Sequence, residues 1–422
     1  LWLARALPFP LDSGDRIYSA RLAGALAAAG ASVHFVGHAA AAAAMPAGDT
    51  AAPSGQAGGQ ERGLEGVIWH GIEGGTRPTW RGLLSAQPLN GAIHATPAYR
   101  AQLRTLLAQD WDMVVVDHYG MAWVLPEVQR QRRRLSRPPV LVHVAHNHET
   151  TLWQGLVRHM RGSPLWRLGA GLNLLKVRRV EAALARGADL LCCIAAEDAE
   201  AFAPLRGSGR TLVLTPGYSG LDMPDRSLTP DVPRRVLMVG SFRWVAKQEN
   251  LTALVREADG PFTEHGIGLD VVGDVPQSLR AQLAGHTSVT LHGFVDDIAP
   301  LFRQARLAIV PEVIGGGFKL KFLDYVFGRL PVVTLDAAAS GLPAAVRGAM
   351  LGCADLASLV RTVVAHIDDL AALDHLQRRA HAEAAPLFHW RDRGVALRDT
   401  VRDLARHDQR RLLTLPARRA WA

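Results

Sequence analysis

"LAIVPEVIGGGFKLKFLDYVFGRLPVVTLD" (307–336) contains a complete strand–turn–helix–strand unit. Two apolar runs, "LAIVPEV" and "PVVTLD", read as strands buried on both faces, which is the pattern of a parallel sheet. Between them Gly315, Gly316 and Gly317 lead into Phe318, two lysines (Lys319 and Lys321) and a helical pattern carrying Asp324. Glycines let a backbone approach a ligand closely, and a helix start presents unpaired N–H groups. That combination suits a diphosphate, and equally a plain tight turn with solvated lysines. Residues i and i+2 of a regular helix point about 200° apart. The two lysines therefore cannot both face one ligand, and Lys319, nearer the glycines, is the expected phosphate ligand, with Lys321 solvated or behind it. Neither a GxxxxGK[ST] phosphate loop nor a GxGxxG fingerprint occurs here.

Working outward, the same alternation recurs along the chain. In the first half "LWLARALP", "SVHFVGH", "GVIWHGI", "DMVVVDHYG", "VLVHVAHN", "DLLCCIAA" and "TLVLTPG" read as strands, separated by helices such as "DRIYSARLAGALAAAG" and "LNLLKVRRVEAALARGA". After a polar, Pro-containing linker near 217–233 the pattern restarts with "VLMVGSF", "IGLDVVGD" and "VTLHGFV". Two such series predict an α/β protein with two Rossmann-like domains facing across a cleft, residues 1–216 and 234–385. The segment 386–422 reads as helical and is able to return to the N-terminal domain. At 422 residues the length also favours two cores. A Pro/Gly-rich loop spans 39–60.

Ligands in such sheets sit beyond the carboxyl ends of the strands. In the second half those ends offer Ser241, Arg243 and Lys247 after "VLMVG", and Phe294 and Val295 after "VTLHG", suited to stacking on a base and bonding its edge. Asp324 can accept bonds from ribose hydroxyls or be an ordinary helix acid. In the first half, His118 follows "VVVD", while His146 and Asn147 follow "VHVA". A strand-end histidine beside an asparagine can bond a sugar hydroxyl or serve as a structural group. "PFPLDSGDRIYS" feeds a helix through Gly14, Asp15 and Arg16; the loop can border a ligand while Ser13 or Asp12 caps the helix.

The composition narrows the partners. Net charge is +8, and only four of the 47 basic residues are lysine, three of them in the C-terminal half beside glycines or strand ends. The run "QRQRRRLSR" (129–137) reads as a solvated helix end or as a surface touching anionic lipid. No zinc spacing, RNP-like aromatic run or recognition helix points to nucleic acid. The three cysteines (Cys192, Cys193 and Cys353) lack metal-ligand spacing and read as small core residues in a reducing compartment. The opening "LWLARALPFP" has neither a Met nor the basic start of a secretory signal and reads as a strand with its start trimmed, with a removed leader left open.

The succession "LPFPLDSGDRIYSARLAGALAAAGASVHFVG", "HNHET", "RRVEAALARGADLLCCIAAED", "LMVGSFRW" and "LHGFVDDIAPLFRQARLAIVPEVIGGGFKLKFLDYVFGRLPVVTLDAAASGL" resembles the GT-B glycosyltransferases, nearest the retaining, GT4-like branch. The resemblance implies a nucleotide-sugar held by the C-terminal domain and an acceptor (a saccharide, lipid-linked glycan or small molecule) held by the N-terminal one. It implies no metal and no cofactor beyond the co-substrate, and His146 next to the transferred sugar. It implies a cytoplasmic enzyme, with peripheral contact at the inner face of the membrane through the basic run. Two departures stand out: an acid is expected at Gly316, eight positions before Asp324, and an arginine at Ser241. Both motivate one alternative, a non-catalytic nucleotide-binding homologue; a second, a sugar-nucleotide 2-epimerase, follows from the shared fold.

Overall fold

The computed structural model describes residues 1–11, 13–39, 63–83, 85–159, 164–207, 209–243, 245–313 and 317–414. Gly315 and Gly316, Asp12 and most of the loop at 39–60 lie outside these. The chain divides into two compact units: Leu1–Thr215 with Trp390–Ala422, and Pro216–His389.

The first unit is built on a seven-stranded sheet: β1 (Trp2–Ala6), β2 (Val33–His38), β3 (Val67–Ile72), β4 (Met113–Asp117), β5 (Val140–Ala145), β6 (Leu190–Cys193) and β7 (Arg210–Val213). Every pairing is parallel, in the order β3-β2-β1-β4-β5-β6-β7. The apolar runs follow from this arrangement, since helices cover both faces and β5 is buried along its whole length. Cys192 and Cys193 are buried in β6 as free thiols. The helix Trp390–Thr414 belongs to this unit and lies on the helix Gly14–Ala28. Gly394 permits that approach, because a Cβ there would overlap the backbone at Ala25, and Arg398 Nη1 donates to Ala29 O at 2.7 Å. Part of the basic run is committed to structure: Arg132 donates to Asp189 Oδ2 at 2.5 Å and to Pro139 O at 2.9 Å.

The second unit holds six parallel strands: β8 (Arg235–Val239), β9 (Gly268–Val272), β10 (Val289–Gly293), β11 (Leu307–Val310), β12 (Val332–Leu335) and β13 (Leu351–Cys353), in the order β10-β9-β8-β11-β12-β13. β13 is an addition to the sequence reading; three residues inside "AMLGCADL" carry too little pattern to be read as a strand. The helix after the glycines begins at Lys321, not at the glycines, and runs Lys321–Phe327.

In both sheets the strand order reverses once, between β1 and β4 and between β8 and β11. At such a switch point the connections leave to opposite sides, opening a crevice at the carboxyl ends. The residues at these ends are the candidates for chemistry.

Candidate functional site

In the first unit, β4 and β5 end on adjacent polar clusters. His146 Nε2 lies 2.6 Å from Asp117 Oδ1, and Trp2 Nε1 donates to Asp117 Oδ2 at 2.8 Å. A carboxylate can only accept, so His146 carries its proton on Nε2 toward Asp117. Burial pushes the Asp117 carboxyl up, but the bonds from His146, Ser19 and Trp2 outweigh it, and it stays below the ordinary carboxylate range. Tyr18 meets the His146 ring edge-on at 5.6 Å. These contacts fix the ring at the strand end.

His118 follows directly. Its φ of 73° is unusual for a residue with a side chain and stores strain at the switch point. The strain is held by two bonds: its N–H donates to Val144 O at 2.9 Å, and its Nδ1 accepts from Gly120 N at 3.0 Å. That fixes a proton on Nε2, which points toward Glu149 Oε1 at 3.8 Å. Burial first, then Arg5, holds His118 well below the ordinary histidine range, so it is neutral. Glu149 is also buried, and burial pushes its carboxyl up to about 7, against the bond from Asn147 at 3.1 Å and with some help from Glu181. Arg5, in β1, pairs with Asp15 at 2.6 Å. Burial raises Asp15, but Arg5, Ser13 and His146 together keep it below the usual carboxylate range. Ser13 makes no side-chain cap bond to the helix Gly14–Ala28. Arg16 instead reaches Pro10 O at 3.3 Å.

In the second unit the ends of β8, β9 and β11 converge. Gly273 has φ 125°, and a Cβ on it would overlap the Gly240 carbonyl oxygen, so the two backbones meet only because residue 273 is glycine. Beside Gly240 lies the Lys321 ammonium, paired with the Glu312 carboxylate at the end of β11. Both side chains are nearly buried, and Glu312 Oε2 has no hydrogen-bond partner among the described residues. Lys247 is half-buried; desolvation, then Lys321, lowers its pKa while Glu312 opposes. This is a buried cationic group at the switch point.

The two lysines differ in their surroundings. Lys319 donates to Ala338 O at 3.0 Å, in the turn Asp336–Ala339, whereas Lys321, expected to be solvated or behind Lys319, is not solvated and sits in the cluster. The cause is the helix start, because Gly317, Phe318, Lys319 and Leu320 precede the first helical residue and change which lysine faces the strand ends. Phe318 lies against Phe388 with ring centroids 5.8 Å apart. Arg243 pairs with Asp274 on the surface, and Ser241 is exposed. Phe294 is 79% exposed at the end of β10, with Val295 half-buried beside it. Asp324 contacts Tyr218, which stacks on Phe327 at 4.5 Å; burial pushes the Asp324 carboxyl up to about 6 against that contact and Lys321.

Residues 233–369 match the family model described as glycosyl transferases group 1. The second unit is a group 1 glycosyltransferase domain. Solved structures resemble the whole chain. A sucrose-phosphate synthase from Thermosynechococcus elongatus is 18% identical with a TM-score of 0.66, covering 96% of this chain and 98% of that one. Anabaena HepE, solved in complex with UDP and glucose, is 15% identical with a TM-score of 0.59, covering 95% and 98%. WaaG, a glycosyltransferase involved in lipopolysaccharide biosynthesis, is 16% identical with a TM-score of 0.59, covering 95% and 98%. No curated protein matches the sequence. The fold is GT-B, and the chain is a glycosyltransferase.

In this glycosyltransferase three first-unit residues escaped the sequence reading: Arg5, Asp117 and Glu149. Asp117 carried a visible signal, since an acid closing the apolar run "MVVVD" must find partners or pay for burial. In the second unit Glu312 was missed in the same way, as the acid after "LAIVP". Among the described residues no group of three or more His, Cys, Asp or Glu side chains is arranged to hold a metal ion.

Proposed function

We propose that this glycosyltransferase moves a sugar from a nucleotide-sugar donor to an acceptor hydroxyl, with retention and without a metal ion. The observation that carries the reading is the buried Lys321–Glu312 pair beside Gly240, with Lys247 coupled to both, at the switch point of the group 1 domain. The cations stabilise the diphosphate as it leaves with the electron pair of the anomeric C–O bond. Gly240 lets phosphate oxygens come close to backbone. Glu312 holds Lys321 in place. Phe294 stacks on the base. The complex of HepE with UDP and glucose supports a nucleotide-sugar as donor.

On the first unit, the acceptor hydroxyl attacks the anomeric carbon with His146 positioning the transferred sugar. Asp117 holds the ring, and Arg5, Asp15 and Asn147 offer further bonds to hydroxyls. Incubation with UDP-, GDP-, dTDP- and ADP-sugars and a panel of saccharide acceptors tests the reading. Release of nucleoside diphosphate matched by a new glycoside supports it; donors left intact with every acceptor reject it.

One observation favours a second reading. Glu149, with its carboxyl at about 7 beside neutral His118, is poised to exchange protons at working pH. That would serve 2-epimerisation of the donor sugar, and formation of an epimer from donor alone distinguishes it from transfer.

A further inference from the structure

The helix Pro164–Gly187 is apolar on two sides. One side is the expected one: Ala170, Val177, Val180, Leu184 and Ala185 are buried against the first unit. Leu165, Leu168, Leu172 and Leu175, spaced three and four apart, form a second stripe facing away, 80%, 61%, 53% and 59% exposed. Trp166 adds a ring at the same end, 71% exposed. A surface helix ordinarily turns polar residues outward. Helix stability alone does not require leucine at these positions, since alanine forms helix at least as well. Large apolar side chains gathered on one exposed face mark a surface that something covers.

The charges say what kind of surface covers it. From Leu165 to Val180 the sequence contains Arg167, Lys176, Arg178 and Arg179 and no acidic residue. Arg179 continues the leucine stripe one turn on, and Arg178 is exposed beside it. Two copies meeting through this face would set these charges against one another. An anionic lipid surface accepts both features: leucines and the tryptophan enter the acyl boundary while the cations stay among the headgroups. No helix among the described residues is long and apolar enough to cross a membrane, so the contact is a helix lying on the surface. We propose that this face docks the glycosyltransferase on anionic lipid.

The test is co-sedimentation of the full chain with vesicles of neutral phosphatidylcholine or of phosphatidylcholine with about 30% phosphatidylglycerol. The expected result is binding to the anionic vesicles that weakens in high salt and is at least tenfold weaker to neutral ones. Leu168→Glu with Leu172→Glu should reduce it at least tenfold, and Arg178→Glu with Arg179→Glu should remove the preference for anionic lipid. Both pairs alter exposed side chains, so thermal melts matching the parent confirm folding. Equal binding to both vesicle types, or binding unchanged in the leucine variant, overturns the proposal. So does a parent dimer that the leucine variant converts to monomer, which would assign the face to a second copy.

Discussion

The His146 ring and the Asp117 carboxylate, 2.6 Å apart, join the ends of two neighbouring strands, β5 and β4, into one unit. Trp2 occupies the other carboxylate oxygen, so Asp117 has one orientation and His146 one tautomer. Asp117→Asn keeps the shape and, with Trp2 still donating to the oxygen, turns an amide N–H toward His146. The ring must then present an unprotonated Nε2. Transfer should fall by about 10²-fold in kcat, a usual size for a misplaced positioning group, with little change in donor KM. The double variant with His146→Ala should be no slower than His146→Ala alone, because the two act together. Steady-state kinetics of the three variants checks this.

Glu149 makes stability depend on pH. Its folded carboxyl titrates at about 7, above its value of 4.5 in the open chain, so the folded state holds its proton more tightly. The contribution is fully present below about pH 4.5 and is lost as pH rises through 7. Its size is on the order of 2–3 kcal/mol for this buried group. Glu149→Gln, which cannot ionise, should melt higher than the parent at pH 8 and level with it near pH 5. Melting curves across that range decide; equal curves at pH 8 would remove the buried charge from the account.

Phe294 stands outside the fold's packing, so its replacement isolates binding. Phe294→Ala should leave the melting temperature within about 1 °C, since an exposed surface change costs little. Nucleoside diphosphate binding should weaken by roughly 1–3 kcal/mol, the usual worth of a base stacked on an aromatic ring. Inorganic pyrophosphate, which has no base, should bind as before. Loss of pyrophosphate binding in the variant would move Phe294 from the base to the phosphates.

Gly273 tests the close approach of β8 and β9. With φ at 125° and no room for a Cβ beside Gly240, Gly273→Ala must displace backbone at the site. A loss of about 2–4 kcal/mol in urea unfolding is expected from strain and overpacking together. Gly260→Ala, inside a helix with open space around it, is the control and should be neutral or stabilising.

Much of this was legible in the residues. Apolar runs named twelve of the strands, most plainly β5, β6, β11 and β12, which are buried along their whole length and carry no polar alternation to confuse them. β13 escaped because three residues hold no period. The histidines at the ends of β4 and β5 were found by position, but their partners were not: Asp117 and His146 lie 29 residues apart, and only the parallel pairing of β4 with β5 makes them neighbours. The two lysines show how a local boundary changes which side chain faces the strand ends. Starting the helix at the glycines turns Lys319 toward them; starting it at Lys321 turns Lys321 there instead.

The proposal that Lys321, held by Glu312 beside Gly240, serves the diphosphate is the core of the account, and binding of a nucleoside diphosphate tests it most directly. Calorimetry would compare the parent with Lys319→Ala and with Lys321→Met combined with Glu312→Gln, the pair changed together so that no buried charge is left alone. The account predicts that the Lys321–Glu312 variant binds at least about tenfold more weakly, the loss of one charge-assisted bond. Lys319→Ala should stay within about threefold of the parent. Tenfold weaker binding in Lys319→Ala, with the Lys321–Glu312 variant unchanged, would contradict it.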